Sequence, residues 1–134
     1  MRGARVEEYR FRKLIVWQRA VELAAAVHRG AAAMRGRDRA DLADQMRRAA
    51  LSIPANIAEG NGRRSRADYL RFLGIAAGSL AELESHVELA ERLCYLRPDS
   101  LSAIKELQDH TARLLTRLIQ ALREQGASAP SSRP

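Results

Sequence analysis

A chain of 134 residues and 14.9 kDa fits one domain with one core, and its composition, 46% apolar but only 4% aromatic, suits packed helices better than a sheet sandwich. The formal net charge of +7 and the pI of about 10.7 favour polyanionic partners such as RNA or DNA over acidic small ligands. A single cysteine, Cys94, excludes an internal disulfide and a cysteine-based zinc site, and no apolar run reaches the roughly 20 residues of a membrane span. Cys94 reads as a buried packing residue, and the chain as a cytoplasmic protein without a membrane role.

Residues 1–10 lack the apolar core of a signal peptide and read as a flexible arm. Leu14, Trp17, Val21, Ala24, His28 and Ala31 then recur at helical spacing and mark a first helix, with residues 30–41, rich in Gly, Arg and Asp, as its turn. In the second helix Leu42, Met46, Ala49, Ile53 and Ile57 stay in step across Pro54, which predicts one proline-kinked helix instead of two short ones. An interior proline removes the amide that would bond the Ala50 carbonyl, at a cost of about 3 kcal/mol in an unsupported helix. Small neighbours, Ala49, Ala50, Ser52 and Ala55, leave room for the bend, and Ser52 and Asn56 are expected to bond backbone freed by it. Gly60 and Asn61-Gly62 should end this helix in a left-handed turn.

Ser65 with Asp68 three residues later predicts a capped start for the third helix. Its apolar seam runs through Tyr69, Leu73, Ala76, Leu80, Leu83, Val87, Ala90 and Cys94. After a break at Pro98, Leu101, Ile104, Leu107, Thr111, Leu114, Leu118 and Leu122 form the last helix, ending near residue 125, and residues 126–134 read as a disordered tail. The expected domain is therefore an all-α, antiparallel up-and-down four-helix bundle over residues 11–125.

Catalytic signatures are missing. His28, His86 and His110 fall on different helices, but Leu83 and Leu107 stand where a di-iron Glu-x-x-His pair would need glutamates, so Glu82 with His86 and Glu106 with His110 read as surface pairs. With no nucleophile elbow and no phosphate loop, the expectation is a non-enzyme without cofactor or metal. Glu59 lies in the last turn of a helix, where a carboxylate is unfavourable, so a compensating arginine is expected beside it.

The basic residues give the leading functional expectation. Arg47, Arg48, Arg63, Arg64, Arg66 and Arg71 are the candidate nucleic-acid contacts, expected to gather at one end of the bundle. The alternative is a scaffold whose charges serve self-assembly, with some of these arginines, Arg71 among them, meeting Glu82, Glu84, Glu88 and Glu91 of another copy and Gly74 and Gly78 admitting another helix or subunit.

Three stretches resemble a known family: Phe11-x-x-Leu14-x-x-Trp17, then Gln45-Met46-Arg47-Arg48-Ala49-Ala50-x-Ser52-Ile53-Pro54-x-Asn56-Ile57-Ala58-Glu59-Gly60, then Phe72-Leu73-x-x-Ala76-x-Gly78-Ser79-x-x-Glu82-Leu83. They are similar to the bacterial four-helix bundle proteins encoded in large-subunit rRNA intervening sequences, over roughly residues 10 to 125. The resemblance implies a cytosolic homopentamer and kinship with the accessory variability protein of diversity-generating retroelements, which binds nucleic acid and a reverse transcriptase. It also makes Ser52, Pro54, Asn56, Glu59 and Gly60 the structural hallmark of the family. The sequence departs from its relatives between the first two helices, where Met34-Arg35-Gly36-Arg37-Asp38 replaces the usual aromatic-proline turn.

Overall fold

The computed structural model describes residues 10–128, so the expected arm, apart from Arg10, and the tail beyond residue 128 lie outside the described residues. Arg10–Lys13 form a short 3-10 turn, followed by α1 (Ile15–Ala31), α2 (Arg37–Asn61), α3 (Arg66–Arg92) and α4 (Pro98–Ser128), with no strand among the described residues. α1 and α3 each pack against both α2 and α4, while the diagonal pairs are not neighbours, so four helices surround one core. Its largest fully buried side chains include Leu23, Met46, Ile53, Ile57, Leu73, Leu83, Ile104 and Leu115.

Contacts at the helix ends show which ends share a pole. Gly60, late in α2, faces Tyr69 and Phe72 early in α3, and Gly126, late in α4, lies against Arg66 at the start of α3. Arg10 Nη2 donates to the Asn61 carbonyl at 3.2 Å, which brings the first described residue to the same pole. At the other pole Gly30, late in α1, faces Leu96, Ser100 and Ile104 around the start of α4.

The expected seam of α3 is buried from Leu73 through Ala90, and Ser65 Oγ accepts from the Asp68 amide at 3.1 Å to cap the helix. α2 runs unbroken through the buried Pro54, between Ala49, Ala50, Ile53 and Ile57, which are also buried. Four expectations are corrected. The turn before α2 is residues 32–36, not 30–41, because α2 starts already at Arg37. Of the face expected for α1, Ala24 and Ala31 are buried and Leu14 and Trp17 pack against the core, but Val21 and His28 are exposed, and Val16, Ala20, Leu23 and Val27 complete the buried face. That helix is so rich in alanine and valine that several faces look equally apolar in sequence. α4 continues to Ser128, past the expected end near residue 125, and buries Gln108 and Leu115 beside the expected Ile104 and Thr111.

The fourth correction concerns helix ends. Gly62 closes α2 with an ordinary right-handed φ of −82°. The left-handed residue is Cys94 instead, at φ 58°, and it is exposed, not buried. Its amide bonds the Glu91 carbonyl at 3.0 Å and the Tyr95 amide bonds the Ala90 carbonyl at 2.9 Å, the paired bonds of a Schellman termination. Such a turn points the side chain at C′ outward, which is why a residue in register with the seam escapes the core.

Candidate nucleic-acid interface

The block around Pro54 acts between helices. Ser79 Oγ on α3 donates to Ser52 Oγ on α2 at 2.7 Å, and Asn56 Nδ2 donates to both Ser52 Oγ (3.0 Å) and the Ser52 carbonyl (2.8 Å). Neither side chain therefore serves the Ala50 carbonyl that Pro54 leaves without its amide: Asn56 braces Ser52 within α2, and Ser52 joins α2 to α3 through Ser79. One turn on, Gly60 is required by close approach, since a Cβ there would stand 2.9 Å from Phe72 Cβ and 3.0 Å from Tyr69 Cδ1. Asn61 is buried and donates to the Tyr69 hydroxyl at 3.1 Å. These bonds hold the α2–α3 turn, residues 62–65, in a set position.

On that frame sit the arginines. Arg63 Nη2 lies 3.3 Å from Glu59 Oε2, which supplies the cation expected beside that carboxylate, and Arg71 Nε lies 3.5 Å from Asp68 Oδ1. Both guanidinium groups also stack on Phe72, at 4.8 Å and 4.4 Å from the ring centroid. Exposed pairs of this kind contribute little energy, about 0–1 kcal/mol, but they orient the cations. Arg64 and Arg66 are exposed and form no ion pair among the described residues; Arg66 lies over Gly126 at the end of α4.

Arg47 and Arg48 do not join this group. They precede the end of α2 by more than a dozen residues, about 20 Å along the helix axis. Arg47 instead pairs with Asp44 at 3.2 Å. The place expected for them is taken by Arg10, Arg12 and Lys13, which the approach of the 3-10 turn to Asn61 carries to the same pole. Only the basic spacing of that segment hints at it in sequence.

The acidic stretch of α3 is mostly satisfied within the chain. Glu82 lies 3.5 Å from His86, Glu88 pairs with Arg92 at 3.0 Å, and Glu91 pairs with Lys105. Glu84 differs: partial burial, with the Asp109 carboxylate adding like charge, raises its pKa above the ordinary carboxylate value. Gly74 and Gly78 face open space, with no atom within 4 Å of the point where a Cβ would stand, so no helix of this chain uses them for close packing. Among the described residues no three His, Cys, Asp or Glu side chains converge as a metal-ligand set, and no helix is long and apolar enough to cross a membrane.

Comparison with known proteins matches residues 12–117 to the family described as 23S rRNA-intervening sequence protein. The chain belongs to that family. A solved structure from Bacteroides thetaiotaomicron, described as a protein with unknown function from the S23 ribosomal protein family, is similar at a TM-score of 0.71 and 25% identity, covering 79% of this chain and 99% of that one. Among curated proteins none matches. The family match spans the Ser52–Gly60 block and Ser79, and so includes Ser52, Gly60 and Ser79, at which α2 meets α3.

Proposed function

We propose that this member of the family is a non-catalytic, oligomeric helical bundle whose basic pole binds nucleic acid, or a protein that handles nucleic acid. The charge of that pole carries the reading. Residues 10–13 and 59–71 hold Arg10, Arg12, Lys13, Arg63, Arg64, Arg66 and Arg71, joined by Arg123 near the end of α4, against three carboxylates, Glu59, Asp68 and Glu124. At the opposite pole, residues 84–99 carry Glu84, Glu88, Glu91 and Asp99 against Arg92 and Arg97, and residues 29–41 add Arg29, Arg35, Arg37 and Arg39 against Asp38 and Asp41, so the charges there balance. A field polarised in this way steers a polyanion to one end, and each phosphate neutralised there releases counterions. Arg64 and Arg66, unpaired among the described residues, are the first to test. Arg64→Glu with Arg66→Glu should weaken anisotropy-detected binding of labelled RNA and DNA by about tenfold or more at low salt, with unchanged circular dichroism. Unchanged binding refutes the reading.

A second reading, a scaffold whose contacts serve self-assembly, is favoured by apolar side chains left in water on the neighbouring helices α2 and α3. Leu51 is 52% and Ile75 42% exposed, and Gly74 and Gly78 beside Ile75 are open. Five copies, the number the resemblance implies, is the assembly to look for by sedimentation. Ile75→Asp should reduce the assembly to smaller species; a wild-type monomer removes this reading.

A further inference from the structure

A groove runs along the seam between α3 and α4, starting from the basic pole. Near the pole it is lined by Gly74, Ala77, Ile119 and Arg123, and at Thr116 it meets a second, open depression on α4 alone, lined by Ala112, Arg113 and Arg117. All three arginines are exposed, belong to α4 and form no ion pair among the described residues. From Arg113 to Gly126, where Arg66 lies, the cations span about 20 Å of helix. The apolar part of the lining comes from the small residues of α3 with Ile119, and the cations come from α4 alone.

We propose that this groove binds a single polynucleotide strand, with Arg123, Arg117 and Arg113 contacting successive phosphates beyond Arg66. The inference rests on the nucleic-acid reading of the basic pole and gives it a track. Arg123 lines the seam and Arg117 and Arg113 continue from it around the exposed surface of α4, a single winding line of cations that suits one backbone, whereas a duplex presents two. An acidic face of a second copy is the less favoured occupant, because Glu88 and Glu91 already pair with Arg92 and Lys105 within the chain. Gly74 contributes by having no side chain: a Cβ there meets nothing within 4 Å, and a large side chain would extend into the groove.

The test is anisotropy of labelled single-stranded and duplex oligonucleotides across a salt series, with helicity and sedimentation of each variant recorded alongside. Replacing Arg113, Arg117 and Arg123 by Gln should lower the slope of log affinity against log salt for single strands by about 2, at roughly 0.7 per phosphate contact. Gly74→Leu should weaken single-strand binding by about tenfold at unchanged net charge. If the triple variant keeps the wild-type slope while Arg64→Glu with Arg66→Glu loses binding, the groove is wrong and the basic pole stands. Wild-type protein that binds no oligonucleotide at low salt overturns both. Tighter binding of duplex than of single strand overturns the single-strand assignment, and a triple variant that changes the assembly size marks the row as a contact between copies instead.

Discussion

Alanine at Gly60 and alanine at Gly74 are the same substitution on adjacent helices, and packing makes their effects opposite. Helix propensity alone favours alanine over glycine at either site by about 1 kcal/mol. At Gly60 the added methyl would lie 2.9 Å from Phe72 Cβ, 3.0 Å from Tyr69 Cδ1 and 3.2 Å from the Tyr69 carbonyl oxygen. Overpacking costs about 1–3 kcal/mol, and because a Cβ and a backbone oxygen cannot swing aside, the upper part of that range applies. The net expectation is a loss of about 1–2 kcal/mol for Gly60→Ala and a gain of up to about 1 kcal/mol for Gly74→Ala, where nothing lies within 4 Å. For a domain of this length each kcal/mol shifts Tm by about 3–4 °C. Urea titrations and thermal melts at matched concentration read both numbers, with sedimentation to show that assembly is unchanged. Two shifts of the same sign, or a neutral Gly60→Ala, would refute the claim that the α2–α3 turn is held by close approach.

Three further outcomes follow from particular contacts. Cys94→Gly should stabilise the protein by about 1 kcal/mol in urea denaturation, because an exposed side chain gives up a left-handed φ of 58° that glycine adopts without strain. Ser65→Ala should cost about 1 kcal/mol by removing the oxygen that caps the Asp68 amide, and Ser65→Asp should restore most of it. Glu84→Gln should raise Tm at pH 7, and the difference should disappear below about pH 4. The sign comes from a folded pKa above the unfolded one, by partial burial and by Asp109: the native state binds the extra proton, so stability present in acid is lost as pH rises through the folded value. A Glu84→Gln difference independent of pH would show that the carboxyl's charge is not the cause.

Much of the local structure is legible in the sequence because its causes are local. The spacing of Leu73 through Ala90 marks the buried seam of α3, the Ser65–Asp68 pair marks its cap, and the apolar register across Pro54 marks one continuous α2. The Phe11, Pro54 and Ser79 stretches are enough to point to the family that residues 12–117 match. Where periodicity is weak, as in the alanine-rich α1, it is right in part: Ala24 and Ala31 are buried and Leu14 and Trp17 pack against the core, but Val21 and His28 are exposed. Cys94 keeps the period of the seam but follows a left-handed termination, which periodicity does not encode.

The sequence by itself determined the helical class, the family and the excess of positive charge, since composition and short-range spacing contain them. Tertiary structure alone decided which cations share a surface. Arg47 and Arg48 share a helix with the turn yet stand about 20 Å from it, while Arg10, Arg12 and Lys13, far away in sequence, arrive at the pole through the bond from Arg10 to Asn61. Arg66 meets the end of α4 at Gly126 for the same reason. A helix fixes neighbours three and four residues apart, but the meeting of its ends with other ends depends on helix lengths in ångströms and on the order of packing around the core.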